Sequence, residues 1–115
     1  DLIFLVTPQS DDTRIKHISE GSSGFVYVVS TTGITGEQSS LATHLPDFVS
    51  KVKQYSSLPV AVGFGISSSA HVTEISRYAD GAIVGSALVK LFECPYESDL
   101  DLIKRVQDYI RDLLD

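Results

Sequence analysis

The chain has 115 residues, enough for one domain with a buried core, and its 9 basic and 15 acidic residues give a net charge of −6. Because the basic residues are scattered, this composition argues against a nucleic-acid-binding surface. One cysteine rules out an intrachain disulfide, and without an 18-residue apolar run or a basic leader we expect no membrane segment and a cytoplasmic location.

The first predicted elements are a strand and a helix. The run Leu2–Val6 is continuously apolar, which is typical of a strand buried on both faces. Ser10 is expected to cap a helix that carries Asp11 and Asp12 in its first turn, because carboxylates are favourable at a positive helix end. The predicted inward-facing side chains of this helix are Ile15 and Ile18.

The second predicted strand, Phe25–Val29, is the clearest in the sequence because it is β-branched or aromatic throughout. A segment rich in serine, threonine and glycine follows at residues 30–42, and it is either a solvated linker or a loop that closes over a ligand. Its position after the strongest strand favours the mobile loop. In that loop Gly33 and Gly36 would supply unusual dihedral angles and Thr35 a hydroxyl group.

The rest of the chain continues the alternation of strands and helices. Pro46 suits the first turn of a helix that begins at Leu45, and Asp99 is the expected cap of a long amphipathic helix. The apolar positions of that last helix are Leu100, Ile103, Val106, Ile110 and Leu113. The predicted elements after residue 44 are a helix at 45–55, a strand at 58–62, a helix capped by Ser68 or Ser69, a strand at 82–84, a short helix at 87–92 and a helix at 99–115.

Four strand–helix units in sequence predict an α/β fold with a parallel sheet and functional loops at the carboxyl ends of the strands. Two of these ends carry glycines, with Gly63 and Gly65 flanking Phe64, and Gly85 preceding Ser86. Each end presents unpaired backbone N–H groups that suit an anion. An isolated Gly-x-Gly is more often a packing or turn feature, but two successive strand ends favour phosphate binding.

The remaining candidate residues have less specific interpretations. Tyr27 is either a core residue or, if it faces away from the helices, a hydrogen-bonding group for a polar ligand. Cys94 is interpreted as a structural thiol, and Lys90 is expected to point away from the helix N-terminus into solvent. The histidines lack metal-ligand spacing and are predicted to lie on the surface: His17, His44 and His71.

Three motifs resemble the tryptophan synthase α subunit family. They are Gly-Phe-Val-Tyr-Val-Val-Ser-Thr-Thr-Gly-Ile-Thr-Gly at 24–36, Pro-Val-Ala-Val-Gly-Phe-Gly-Ile-Ser at 59–67 and Ala-Asp-Gly-Ala-Ile-Val-Gly-Ser-Ala-Leu-Val-Lys at 79–90. The resemblance implies a (β/α)8 barrel that cleaves indole-3-glycerol phosphate to indole and glyceraldehyde 3-phosphate. It also implies a β subunit that holds pyridoxal phosphate, while the α subunit has no cofactor of its own.

The resemblance assigns roles to residues of this chain. A phosphate would be held by backbone amides around Gly36, Gly65, Gly85 and Ser86, with Phe64 beside it. Tyr27 matches the family's active-site tyrosine on the sixth strand, and Thr35 matches the mobile-loop threonine that helps orient the catalytic aspartate. Residues 1–115 match strands five to eight only, so we expect a C-terminal half-barrel without the family's catalytic glutamate and aspartate.

A half-barrel of this kind is expected to lack lyase activity alone and to self-associate through its exposed edges unless the N-terminal half is supplied. The chain's own carboxylates at helix starts, in the loop or in a turn do not replace the catalytic pair: Asp11, Asp12, Glu37 and Asp80. Two alternatives stay open. One is another phosphate-binding barrel of histidine, tryptophan or thiamine biosynthesis, and the other is a non-catalytic binding module.

Overall fold

The computed structural model describes residues 1–30, 38–63 and 65–115, with the side chains of residues 38–43 also left aside. Within that part, strands and helices alternate as the sequence predicts, and the predicted short helix is found before the last one. The elements are β1 Leu5–Val6, α1 Asp12–Gly21, β2 Val26–Val29, α2 Gln38–Tyr55, β3 Val60–Gly63, α3 Ser69–Ile75, β4 Gly81–Ile83, α4 Ser86–Glu93 and α5 Asp99–Leu114.

The four strands form one parallel sheet in the order β1-β2-β3-β4. Each strand pairs with the strand that follows it in the sequence, so that Leu5 lies opposite Tyr27, Tyr27 opposite Ala61, and Ala61 opposite Gly81. Because all strands run in the same direction, their carboxyl ends meet at one edge of the sheet. The predicted α/β fold with a parallel sheet is confirmed.

One face of the sheet is buried under helices and the other is not. Val26 and Val28 of β2, and Val60 and Val62 of β3, are fully buried. The residues between them are on the opposite side of the sheet, because side chains alternate along a strand. We call that side the open face, and its side chains are only half-buried or exposed: Leu5, Tyr27, Val29, Ala61 and Ile83.

The core lies between the buried face and the helices α1, α2 and α3. Ile15 from α1, Val49 and Val52 from α2, and Ile75 from α3 pack against the strand valines in one apolar cluster. Burial of each such side chain contributes about 1.5–3 kcal/mol relative to its exposed state. Ile18, Val72 and Tyr78 are partly buried against the same cluster, as their spacing predicts.

The caps of two helices differ from prediction by one residue. Asp11, not Ser10, caps α1, since its Oδ1 accepts the backbone N–H of Arg14 at 2.8 Å while the hydroxyl of Ser10 accepts that of Thr7 at 3.2 Å. Ser98, not Asp99, caps α5. In both helices the residue just before the first helical position has the extended backbone that a cap requires. The predicted cap Ser68 of α3 is confirmed.

Helix α2 begins earlier than predicted. It starts at Gln38 instead of Leu45, so Pro46 lies inside the helix and not in its first turn. The apolar spacing from Leu45 onward marks where the helix contacts the core, since Leu45, Val49 and Val52 are buried. Periodicity therefore located the packed part of α2 but not its first residue.

The prediction that the first strand is buried on both faces was wrong. Only Leu5–Val6 is a strand, and Val6 is fully buried while Leu5 is 54% exposed. Leu5 is on the open face, and β1 is an edge strand of this sheet. In the described part of the chain, no strand pairs with the outer edge of β1. The segment before β1 still follows β2, because the N–H of Tyr27 donates to the carbonyl of Phe4 at 3.1 Å.

Asp80 joins the amino ends of β3 and β4. Its N–H donates to the Val60 carbonyl and its Oδ2 accepts the Val60 N–H, both at 2.9 Å, while Lys53 forms an ion pair with it at 3.1 Å. The hydrogen bond from Val60 and the neighbouring Lys53 hold the pKa of Asp80 below its usual value. Asp80 thus connects the two strands at their amino ends, opposite to the carboxyl ends where Gly65 and Gly85 follow.

The apolar side of α5 is mostly exposed. The helix packs on α3 and α4, and Leu113 is buried, but Leu100 and Leu114 are 78% and 77% exposed. We call the exposed group the α5 apolar face, and it consists of Leu100, Ile103, Ile110 and Leu114. No described helix has the length and apolar character needed to cross a bilayer.

Candidate functional site

The loops that follow β3 and β4 leave the sheet side by side. Gly63, the last residue of β3, pairs with Ile83, the last residue of β4. From there β3 leads toward α3, and β4 leads within two residues to α4. The two glycine-containing strand ends that the sequence predicted as a phosphate site are therefore neighbours in space.

A cavity of about 280 Å³ lies at these strand ends. It is lined from β2 by Tyr27, from the loop after β3 by Gly65, and from the start of α4 by Gly85 and Ser86. Four of the residues predicted from sequence therefore share one cavity. Its volume suits a small ligand, near the lower end of the range for small-molecule sites.

The N-terminus of α4 supplies hydrogen-bond donors to the cavity. Gly85 is the N-cap and provides no side chain to satisfy the first N–H groups of the helix. The amides at positions 86 and 87 also lack a helical carbonyl four residues before them. Together with the helix dipole, such donors favour an anion at this point.

Gly65 is required by its backbone conformation. It has a φ of +70°, in the left-handed region that favours glycine, while a Cβ at this position would have open space around it. The residue therefore sets the direction of the chain between β3 and α3. That direction brings the backbone of the loop to the wall of the cavity.

Gly63 makes room for the ring of Tyr27. Tyr27 is on the open face, and a Cβ at Gly63 would lie 2.6 Å from Cζ and 2.9 Å from Cε1 of that ring. The tyrosine side chain thus lies across the end of β3 and reaches the cavity that Gly65 and Gly85 line. Tyr27 is half-buried on the open face and does not belong to the apolar cluster under the helices.

We expect Gly63→Ala to destabilise the chain by about 1–3 kcal/mol, because the added methyl group overlaps the Tyr27 ring. Gly81→Ala is the matched control, since its Cβ would meet that of Ala61 at an ordinary 3.5 Å. Urea unfolding of both variants measures the difference. Tyr27→Ala in the Gly63→Ala background should recover part of the lost stability. If the losses of the two single variants simply add in the double variant, the proposed contact is contradicted.

Ser30 is a residue that sequence analysis missed. It is buried at the end of β2, and both its backbone N–H and its hydroxyl donate to the carbonyl of Gly63 at 3.0 Å. These bonds connect the carboxyl ends of β2 and β3. The only sequence signal was a small hydroxyl residue directly after the clearest strand.

Lys90 also lines the cavity. Its side chain is exposed, as predicted, and the residue also forms part of the cavity wall at the start of α4. It is the only charged residue among the described residues that line the cavity. The site therefore combines backbone donors, a phenol and one ammonium group.

Neither the histidines nor Cys94 line the cavity, although Nδ1 of His71 accepts the N–H of Ser67, a lining residue, at 3.4 Å. His17, His44 and His71 are exposed, which confirms the prediction, and Cys94, interpreted as a structural thiol, is exposed as well. In the described ranges no three His, Cys, Asp or Glu side chains are grouped to hold a metal ion. Four predicted site residues lie outside the described residues: Gly33, Thr35, Gly36 and Phe64.

The carboxylates near helix starts take part in structural contacts. Asp12 forms an ion pair with Lys51 and accepts a hydrogen bond from the Tyr55 hydroxyl at 3.1 Å, and the bond from Lys51 lowers the pKa of Asp12. Asp11 caps α1 and Asp80 joins two strands. Glu37 lies outside the described residues. None of the described carboxylates lines the cavity.

The sequence matches the family model of the tryptophan synthase alpha chain over residues 1–114. The chain belongs to this family. It is 56% identical over 93 residues to the tryptophan synthase alpha chain of Methanocaldococcus jannaschii, and the matched segment covers 81% of this chain and 33% of that protein. It is 47% identical over 115 residues to the alpha chain of Chloroflexus aurantiacus, covering 99% of this chain and 42% of that protein.

A solved structure agrees with these relatives. The tryptophan synthase subunit alpha of Campylobacter jejuni superposes with a TM-score of 0.80 at 33% identity, over 97% of this chain and 43% of that one. The chain therefore spans less than half of the length of the alpha chains that it matches. With its four parallel strands it has the fold of a half-barrel, as the sequence predicted.

Proposed function

We propose that this chain is the C-terminal, phosphate-binding half of a tryptophan synthase alpha chain. The parent protein would act in tryptophan biosynthesis as a carbon–carbon lyase, cleaving indole-3-glycerol phosphate to indole and glyceraldehyde 3-phosphate. The observation that carries this proposal is the cavity that Tyr27, Gly65, Gly85 and Ser86 line together. Membership of the alpha chain family supports the reaction assigned to the parent.

The phosphate of the substrate would lie at the start of α4. There the backbone N–H groups after Gly85 and around Gly65 are the donors, and the hydroxyl of Ser86 is close to them. Gly36 would add a further amide and Phe64 an apolar contact, as the family resemblance implies. Tyr27 lies at the side of the cavity that the sheet forms, where its phenol would contact the substrate beyond the phosphate.

The acid and base of the reaction would come from the N-terminal half of the barrel. The described carboxylates support this division, because Asp11, Asp12 and Asp80 are held in a cap, an ion pair and a strand contact. Thr35 would help to orient a catalytic aspartate from the other half, as the family resemblance implies. We therefore expect this chain alone to be inactive.

Two exposed surfaces support an N-terminal half as the partner of this chain. The open face carries Leu5 at the sheet edge, and the α5 apolar face exposes Leu100 and Leu114 beyond β4. In a closed barrel, further strands would cover the first surface and further helices the second. Without them, the isolated chain would bury these side chains by self-association.

Further partners follow from the proposed reaction. A tryptophan synthase β subunit with pyridoxal phosphate would consume the indole, so this chain itself would need no cofactor. We place the protein in the cytoplasm because substrate and product are soluble metabolites. Nucleic acids and membranes are not expected as partners of a chain with a net charge of −6.

Calorimetric titration of the purified chain with glycerol 3-phosphate and with glycerol tests this proposal. We expect saturable heat with glycerol 3-phosphate only, because the donors and the dipole at the start of α4 favour an anion over a neutral ligand. Indole-3-glycerol phosphate should bind more tightly than glycerol 3-phosphate, through contacts of its indole ring. The absence of phosphate-dependent binding in a sample that circular dichroism shows to be folded would contradict the proposal.

The same titration tests the first alternative, and an activity assay with a supplied N-terminal half tests the second. Another phosphate-binding barrel would bind glycerol 3-phosphate without any gain from the indole group. A non-catalytic module would bind both ligands but would stay inactive when an N-terminal half is supplied.

A further inference from the structure

We propose that Lys90 supplies the positive charge by which this cavity selects a doubly charged phosphate monoester over singly charged anions. This inference rests on the proposed function, since it assigns a residue to the same phosphate site. It adds a side chain to a site that the sequence explains through backbone amides alone.

The position of Lys90 on α4 carries the first step of the argument. Lys90 follows Ser86 by four residues, so the two share one face of the helix. Side chains on a helix lean toward its N-terminus, and a long side chain therefore extends over the preceding turn. This geometry explains why Lys90 lines the same cavity as Gly85 and Ser86, although its Cα is one turn further along.

The charge of Lys90 is free to act on a ligand. None of the ion pairs formed in the described part of the chain includes Lys90, whereas Lys51 pairs with Asp12 and Lys53 with Asp80. The remaining described residues around the cavity are neutral. An unpaired ammonium group is thus the one local cation in a chain whose net charge of −6 repels anions.

Backbone donors and a lysine contribute differently to selectivity. The N–H groups at the start of α4 make short-range hydrogen bonds that a sulfate ester and a phosphate ester both accept. The attraction to Lys90 is coulombic and doubles when the ligand charge doubles from one to two. Lys90 should therefore affect a phosphate monoester more than a sulfate monoester of the same size.

The test compares Lys90→Gln with the wild-type chain in calorimetric titrations at pH 8. We expect the Kd for glycerol 3-phosphate to rise roughly 5- to 30-fold and that for glycerol 3-sulfate to rise less. Added salt should weaken binding less in the variant than in the wild type, because one charge is removed from the site. Lys90→Arg should keep most of the affinity.

Lys104→Gln is the matched control, because Lys104 is an exposed lysine of α5 that does not line the cavity. It should leave both dissociation constants unchanged. If Lys90→Gln binds glycerol 3-phosphate as tightly as the wild type, the role of Lys90 is refuted and the phosphate site stands. If the folded wild-type chain binds neither anion, the proposed function fails and the inference fails with it.

Discussion

Gly85→Asp is expected to abolish phosphate binding while the chain stays folded. A side chain at Gly85 would meet no other atom within 4 Å, and the backbone there, with a φ of −118°, is open to any residue. The variant should therefore fold as the wild type does. Its carboxylate would nevertheless occupy the place of the anion and compete for the same N–H groups.

Gly85→Asn separates charge from volume in this experiment. Asparagine has nearly the same size as aspartate, but it is neutral. Two unit charges 4 Å apart interact by about 1 kcal/mol in water and by about 4 kcal/mol near a protein surface, and a phosphate dianion doubles these values. We therefore expect the aspartate variant to bind glycerol 3-phosphate at least about 30-fold more weakly than the asparagine variant.

Two measurements complete the test at Gly85. Thermal unfolding followed by circular dichroism should give similar midpoints for the wild type and both variants, which excludes a folding defect. Titration with glycerol 3-phosphate then reports binding alone. Equal affinity of the aspartate variant and the wild type would place the anion away from α4 and contradict the proposed site.

Sequence analysis located the site because its signals are local. A β-branched run, a glycine at its end and a helix directly after it are all adjacent in the sequence, as in the segment from Gly81 to Ser86. The parallel arrangement of successive strand–helix units then brings such ends to the same edge of the sheet. These two steps predicted that Gly65 and Gly85 share one cavity.

The features that sequence analysis missed depend on distant parts of the chain. The space that Gly63 leaves for the Tyr27 ring depends on the register between β2 and β3, which the sequence does not state. The cavity beside Lys90 forms only because α4 lies next to the loop after β3. The exposure of Leu5 depends on what covers the open face. A continuously apolar sequence pattern does not distinguish a strand at the edge of a sheet from one in its interior.

Supplying an N-terminal half of the barrel is expected to convert this chain from an inactive, self-associating polypeptide into part of an active lyase. The cavity has backbone donors at the start of α4 but no described carboxylate in its lining, so we expect the acid and the base to come from elsewhere. The N-terminal half of a related alpha chain would supply both, and it would also cover the open face and the α5 apolar face. Indole release from indole-3-glycerol phosphate measures activity, and light scattering at micromolar concentration measures assembly.

Leu100→Glu tests whether the α5 apolar face carries this assembly. Leu100 is 78% exposed, so the substitution should leave the fold unchanged while it places a charge where apolar side chains would meet. We expect self-association and complementation each to weaken at least about tenfold, because burial of an unpaired carboxylate is unfavourable. Ser50→Glu adds the same charge to the exposed side of α2 and should change neither. A monodisperse monomer of the isolated chain would contradict the expected self-association. Lyase activity of the chain alone would contradict the expected need for an N-terminal half.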